Sequence, residues 1–180
     1  MGMITVSNPC LSLHIEPKDL NALNSFLIRK LMDLNLSPRS EINDYHLSLC
    51  YLKGDFSLED LVHRMEELKK KEFLIRPKGL KILKSANSSL RFLALDVDLD
   101  EVLKKEVLEL NNMKGAVQFS EGFCSHISFM VFDSSELSQA EEESLIEVLE
   151  MQALGLLSDV KIEIKAARIF SSEKKPLADL

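Results

Sequence analysis

Two short segments carry the residues best suited to chemistry, and both have the same pattern. Residues 46–50 read His-Leu-Ser-Leu-Cys and residues 126–130 read His-Ile-Ser-Phe-Met, so a His-x-Ser motif occurs twice, 80 residues apart. An imidazole with a pKa near 6.5 both donates and accepts protons at neutral pH. Two imidazoles in one site can therefore act as general acid and general base in the same reaction.

The spacing within each motif favours chemistry on a phosphate. Successive side chains of a β-strand point to opposite faces, so His46 and Ser48 share one face, as do His126 and Ser128. Two residues along a strand separate the side chains by about 6–7 Å, which strains a direct contact that would activate the serine. The sequence also contains no G-x-S-x-G elbow. We therefore expect the serines to hold phosphate oxygens, in a cleft where the two histidines face each other.

Further residues near this cleft are candidates for binding substrate. Strand alternation places Cys50 and Met130 on the face of the histidines, where they would offer apolar surface to a base or sugar. Repeat alignment places Arg91 near the cleft, where it could pair with a phosphate, and Lys84 and Arg168 are other candidate cations. The same alternation places both tyrosines of the chain on the opposite face.

The offset of 80 residues extends beyond the motifs. Residues 11–15 align with 91–95, and residues 80–82 align with 160–162, although identity is low. Each half can be described as strand, helix, motif strand, helix, strand. We expect one domain over residues 1–180, made of two pseudo-repeats at about 10–85 and 90–170.

The hydrophobic patterns and helix caps place these elements along the chain. Because strands and helices alternate but hairpins are present, we expect an α+β fold with a mixed or mostly antiparallel sheet. The predicted strands are 10–16, 45–52, 79–85, 90–98, 124–132 and 159–170. The predicted helices are 18–34, 57–71, 100–112 and 138–153, with caps at Ser57, at Asp98 or Asp100, and at Ser138.

Composition limits the kinds of partner. The chain has 180 residues, 46% hydrophobic and 28% charged, which suits one globular domain that needs no metal or disulfide to fold. With 29 acidic and 22 basic residues the net charge is −7, which argues against binding long duplex nucleic acid. A nucleotide, an oligonucleotide or an RNA end is still suitable, because one or two cations in a small cleft suffice.

The sequence also indicates the cellular setting. No apolar run approaches the ~20 residues that cross a bilayer, and the first residues lack a secretory signal pattern. The three cysteines, Cys10, Cys50 and Cys124, have no Cys-x-x-Cys spacing, and we expect them to be reduced and mostly buried. We expect a soluble monomer that does not contact membranes, in the cytoplasm or the nucleus.

The two motifs resemble those of the 2H phosphoesterase superfamily, which includes LigT-like RNA ligases and cyclic phosphodiesterases. The stretch His-Leu-Ser-Leu-Cys-Tyr-Leu-Lys-Gly at 46–54 is similar to the first motif of that family, with its apolar run and closing glycine. Both motifs have Ser where many members have Thr, and Ser125 occupies a position where Pro often precedes the second histidine. Serine in both motifs also occurs in the branch that trims the 3′ ends of spliceosomal small nuclear RNA.

The resemblance implies a bilobal, pseudo-twofold α+β fold, with two lobes of mostly antiparallel sheet and outer helices around a central cleft. It implies a phosphodiesterase without metal or other cofactor, acting on a 2′,5′ linkage, a 2′,3′-cyclic phosphate or an RNA 3′ end. His46 and His126 would be the acid–base pair, and Ser48 and Ser128 would bind the phosphate. The direction stays open, because the same pair can catalyse ligation. The alternative is a catalytically inactive nucleotide- or oligonucleotide-binding module on the same fold.

Overall fold

Strands and helices alternate along the chain in the computed structural model, which describes residues 4–36, 38–42, 44–84, 89–119, 122–135, 137–171 and 176–180. The strands in these ranges are β1 (Thr5–Ser7), β2 (Cys10–Ile15), β3 (Pro38–Glu41), β4 (His46–Tyr51), β5 (Asp55–Ser57), β6 (Ile75–Lys84), β7 (Leu90–Leu99), β8 (His126–Asp133), β9 (Ile164–Phe170) and β10 (Pro176–Asp179). The helices are α1 (Lys18–Asp33), α2 (Leu58–Lys69), α3 (Glu101–Asn111) and α4 (Gln139–Asp159).

Side-chain caps start three helices at residues that the sequence predicts. Ser57 and Asp100 each accept a hydrogen bond from the backbone N–H three residues later, at the starts of α2 and α3. Ser138 and Glu141 form a reciprocal capping box at the start of α4. Each cap satisfies N–H groups that the first helical turn leaves without a partner.

The end of α4 differs from the prediction. The helix continues through Asp159 rather than ending near residue 153, and β9 begins at Ile164 rather than at residue 159. Gly155 does not stop the helix, since it lies on the exposed side and a side chain there would meet no neighbouring atom. Within the described ranges no helix combines the length and apolar character needed to cross a bilayer.

The main sheet is antiparallel and consists of two lobes. Its strand order is β10-β9-β2-β4-β8-β7-β6, with β3 added beside β8, while β1 and β5 form a separate two-stranded ribbon. The motif strands β4 and β8 are neighbours in this order, yet their recorded pairing is the single pair Leu47 and Ile127. The lobes therefore meet at one point, next to both histidines. This arrangement confirms the predicted α+β class with mostly antiparallel sheet.

Each half of the sequence contributes one strand to the other lobe. β6, from the first half, pairs along its length with β7 of the second half, as the predicted hairpin requires. The predicted connecting residues 86–88 lie outside the described residues. β9, from the second half, pairs with β2 of the first half. One lobe is therefore β10-β9-β2-β4, and the other is β8-β7-β6 with β3.

The helices cover the apolar face of the sheet. α1 and α4 pack against each other, while α2 contacts β9 and α3 contacts β4. Leu47, Leu49, Ile127 and Phe129 of the motif strands are completely buried in the core. Burying these side chains fixes which face of each strand remains for polar residues. The opposite face of β4 and β8 therefore carries the histidines and serines.

Candidate active site

The two histidines occupy equivalent positions at the start of the motif strands. β4 begins at His46 and β8 begins at His126. The residue after each histidine belongs to the pair that joins the two lobes, Leu47 with Ile127. Both imidazoles are partly buried, and the charge of one acts on the other. The structure thus brings together the two residues that the motifs nominate as an acid–base pair.

Each imidazole is anchored by the backbone carbonyl two residues before it. Nδ1 of His46 lies 3.0 Å from the carbonyl oxygen of Asp44, and Nδ1 of His126 lies 2.8 Å from that of Cys124. A carbonyl oxygen only accepts hydrogen bonds, so each Nδ1 carries a proton. The neutral ring then has its lone pair on Nε2. Both histidines are oriented with Nε2 as the atom for proton transfer.

Each motif serine continues into a row of side chains that ends in a cation two strands away. The paired residues along these rows are Ser48, Ser12 and Arg168 in one lobe, and Ser128, Ala94 and Lys81 in the other. The centre therefore consists of two imidazoles and two hydroxyls, with one cation in each lobe. Among the described residues, no group of three or more His, Cys, Asp or Glu is arranged to hold a metal ion.

Lys81 is held beside His126. Its ammonium forms an ion pair with the carboxylate of Asp96 and donates to Sγ of Cys124 at 3.1 Å. Asp96 is the direct cross-strand partner of His126, and the Lys81 side chain is only 22% exposed. Sequence reasoning missed this cluster, because its members come from β6, β7 and the segment before β8. Only the strand order brings them together.

Asp44 holds the corresponding cation of the first lobe. Its Oδ1 lies 2.6 Å from Nη1 of Arg168 and 2.9 Å from Nδ1 of His14. His14 is the direct cross-strand partner of His46. Of the two other cations considered from the sequence, Arg168 therefore lies at the cleft, whereas Lys84 is exposed at the far end of β6.

The surroundings of His126 lower the pKa of its imidazole below the ordinary value of 6.5. Burial is the largest cause, and the positive charges of Lys81 and His46 act in the same direction. The hydrogen bond to Cys124 and the charge of Asp96 oppose the shift without cancelling it. A lowered pKa keeps the ring neutral near pH 7, which is the state needed to accept a proton.

β-Bulges interrupt both motif strands at equivalent points. In β4, Ser48 and Cys50 pair with adjacent residues of β2, so Leu49 between them is one extra residue. Phe129 is the extra residue of β8 in the same way. An extra residue moves the side chains that follow it to the other face of the sheet. Simple alternation along each motif strand therefore fails after the serine.

The prediction that Cys50 and Met130 line the cleft is wrong for this reason. Both side chains are 0% exposed, and Sγ of Cys50 lies 3.4 Å from the carbonyl oxygen of Leu110 in α3. Burial raises the pKa of the Cys50 thiol to about 11. The bulge instead brings Tyr51 to the cleft face, opposite to its predicted side, where its hydroxyl lies 2.9 Å from Oγ of Ser48.

The prediction that Arg91 binds phosphate is also wrong. Arg91 lies on the helix-covered face, where Nε is 2.8 Å from Oε1 of Glu142 in α4. Its partner on β8 is Phe132, at the end of the strand far from the motif. The first strands of the two halves are equivalent at an offset of 82 rather than 80, because Leu11 and Leu93 occupy the same place beside the bulges. The alignment by 80 therefore misplaced Arg91 by two residues.

Aromatic rings border the histidine and serine of the first motif. The ring of Phe170 lies 5.5 Å from the His46 imidazole, centroid to centroid, and is tilted by 46°. Tyr51 and Phe119 meet edge to face at 5.9 Å, and both are exposed, by 40% and 48%. Exposed aromatic rings beside hydroxyls and cations provide both apolar and polar contacts for a ligand.

Comparison with solved structures identifies the fold. The chain is similar to Usb1 of Kluyveromyces marxianus, with a TM-score of 0.61 and 18% identity over 96% of this chain and 97% of that chain. Usb1 of the same organism with uridine monophosphate gives a TM-score of 0.60 and 18% identity over 96% and 95%. No protein-family model and no curated protein matches the sequence. At this identity the likeness shows the fold, so the chain has the 2H phosphoesterase-like fold of Usb1.

Proposed function

We propose that the protein is a metal-independent phosphodiesterase that acts on a nucleotide or RNA phosphodiester by two-histidine acid–base catalysis. The observation that carries this proposal is the matched pair of His46 and His126, each anchored through Nδ1 to a carbonyl and each followed by a serine on its own face. The likeness of the fold to Usb1, including Usb1 with uridine monophosphate, supports a nucleotide substrate.

The two histidines take different roles in this mechanism. His126 is the base, because its lowered pKa keeps Nε2 free to remove the proton of the attacking hydroxyl or water. His46 is the acid, and its Nε2–H protonates the departing oxygen. A bond forms between the attacking oxygen and phosphorus while the bond to the leaving oxygen breaks. One proton is taken up and one is released, so the pair must exchange protonation states before the next turnover.

The serines and cations stabilise the charge on the phosphoryl oxygens. Ser48 and Ser128 donate to the non-bridging oxygens, which carry negative charge throughout the transfer. Lys81 and Arg168 provide positive potential from the two lobes, and their carboxylate partners Asp96 and Asp44 fix their positions. The exposed rings of Tyr51 and Phe119 offer a face on which a nucleobase stacks, whichever base is present. This set of contacts suits one phosphodiester with a flanking nucleoside.

The proposal is tested by a turnover panel with EDTA present throughout. Substrates are a 2′,5′-linked dinucleotide, a 2′,3′-cyclic nucleotide, a cyclic dinucleotide and a short RNA with a free 3′ end. We expect turnover of at least one by the wild type, and a loss of 10²-fold or more, on the order of a general acid–base contribution, in His46→Ala and His126→Ala. His63→Ala is the matched control, since His63 is exposed on α2.

Two results would contradict the proposal. Equal turnover in the wild type and both active-site variants would mean that the histidines do not catalyse the reaction. Nucleotide binding without any product would favour the inactive nucleotide-binding module. Loss of activity in His63→Ala as well would point to damaged folding instead of lost chemistry, and thermal unfolding of each variant separates these cases.

A further inference from the structure

The hydroxyl of Ser48 sits between two hydrogen-bond donors. Oγ of Ser48 lies 2.9 Å from the Tyr51 hydroxyl and 3.7 Å from Sγ of Cys10. Cys10 and Tyr51 are direct cross-strand partners on β2 and β4, so they approach Ser48 as a pair. Ser48 itself is largely buried. Its oxygen therefore has two protein neighbours on the side away from the open cleft.

The chemistry of these groups fixes the direction of the hydrogen bonds. A phenol is a stronger acid than an aliphatic alcohol, so the Tyr51 hydroxyl donates to Ser48 and not the reverse. A thiol acts as a weak donor. A serine oxygen has two lone pairs and one proton. With both lone pairs occupied, the remaining O–H of Ser48 is the only group left to point towards a ligand.

Both donors keep their protons at neutral and mildly alkaline pH. Burial, followed by the charge of Cys10, raises the pKa of the Tyr51 phenol. Burial also raises the pKa of the Cys10 thiol, against the lowering effect of its hydrogen bonds to Ser48 and Tyr51. Neither group ionises in the range where the histidines titrate, so the arrangement around Ser48 persists across that range.

The second motif has no such arrangement. The positions equivalent to Cys10 and Tyr51 are Phe92 and Val131, which form the corresponding cross-strand pair on β7 and β8. Neither side chain can donate a hydrogen bond. The two otherwise matched serines, Ser48 and Ser128, therefore differ in how their hydroxyls are oriented.

We propose that Tyr51, assisted by Cys10, is a positioning residue that makes Ser48 a dedicated hydrogen-bond donor to a non-bridging phosphate oxygen of the substrate. The proposal rests on the phosphodiesterase function proposed above and adds a division of labour between the two serines. Ser48 donates from a fixed direction, and the Ser128 hydroxyl adjusts to the ligand. The bulge at Leu49 is what makes this possible, because it turns Tyr51 to the cleft face.

A double-mutant cycle between Tyr51 and Ser48 tests the inference. Kinetics are measured for wild type, Tyr51→Phe, Ser48→Ala and the double variant on a substrate that the wild type turns over. Tyr51→Phe keeps the ring next to Phe119 and removes only the hydroxyl. We expect kcat to fall roughly 3- to 10-fold, the effect of one hydrogen bond, with KM within twofold of wild type. In the Ser48→Ala background the same change should have no further effect, because its target is absent.

Tyr45→Phe is the matched control. The Tyr45 hydroxyl bonds to Asn24 and Asn21 of α1 in the core, so its loss should lower the melting temperature and leave kcat unchanged. An unchanged kcat in Tyr51→Phe would overturn the inference while the proposed function stands. An equal loss in the presence and absence of the Ser48 hydroxyl would also overturn it, since the effect would not pass through Ser48. A wild type without turnover would remove the proposed function, and the inference with it.

Discussion

Replacing Arg91 with methionine separates the phosphate-binding role suggested by the sequence from the structural role that the fold gives it. Arg91 and Glu142 form an ion pair in which their side chains are 17% and 8% exposed. Removing one partner of such a pair costs about 3–5 kcal/mol, because the other charge is left buried. Glu142 also accepts from Oγ of Ser134 at 2.7 Å, which places the expected loss near the lower end, about 3 kcal/mol. Methionine retains the apolar stem of the arginine.

Urea unfolding and steady-state kinetics on the same preparations measure both effects. With a denaturant slope of about 2 kcal/mol per molar, typical of small proteins, the unfolding midpoint should fall by roughly 1.5 M. KM should stay at the wild-type value at temperatures where the variant is folded. Arg39→Met is the control, since Arg39 pairs with Asp133 at the surface and is 66% exposed. Exposed pairs add little to stability, so its midpoint should hardly move.

The opposite pattern would refute the structural role. If Arg91→Met left the unfolding midpoint unchanged and raised KM several-fold, the guanidinium would contact substrate. The equivalence of the two halves by 82 residues in their first strands would then be wrong, because it places Arg91 on the helix-covered face.

Two further predictions concern the pH dependence and the bulges. Because burial and the charge of Lys81 lower the pKa of His126, the acid limb of kcat/KM should lie below pH 6.5. Lys81→Gln should move it to higher pH and Asp96→Asn to lower pH, and two shifts of the same sign would contradict the assignment of the base. Phe129→Ala should lower the free energy of unfolding by about 3–5 kcal/mol, since the ring is fully buried at its bulge. A loss below about 1 kcal/mol in urea unfolding would mean that the bulge is not packed as described.

The parts of the fold that follow from local sequence were predictable. The caps at Ser57, Asp100 and Ser138 and the hairpin of β6 and β7 are set by neighbouring residues, and the structure contains them. The shared face of each histidine and its serine also follows from strand geometry alone. The Usb1-like fold confirms the fold class implied by the motifs.

The remaining features depend on contacts between distant segments. A bulge arises from the register between two strands, and nothing within His-Leu-Ser-Leu-Cys-Tyr marks Leu49 as the extra residue. The predicted cleft positions of Cys50 and Met130 failed for that reason alone. Lys81 and Asp96 reach His126 only because β6 joins the lobe of the other half. β3 and β10 are short edge strands whose pairing compensates for weak local patterns.

The most direct test of two-histidine catalysis uses one phosphodiester with two leaving groups. A uridine 3′-phosphodiester is prepared with a nucleoside leaving group and with p-nitrophenolate, which needs no proton to depart. We expect His46→Ala to lose 10²-fold or more with the nucleoside and to recover most of that loss with p-nitrophenolate, because His46 supplies the departing proton. His126→Ala should lose activity equally with both. Equal losses for His46→Ala on the two substrates would contradict acid catalysis by His46, and full activity of either variant would contradict the two-histidine mechanism.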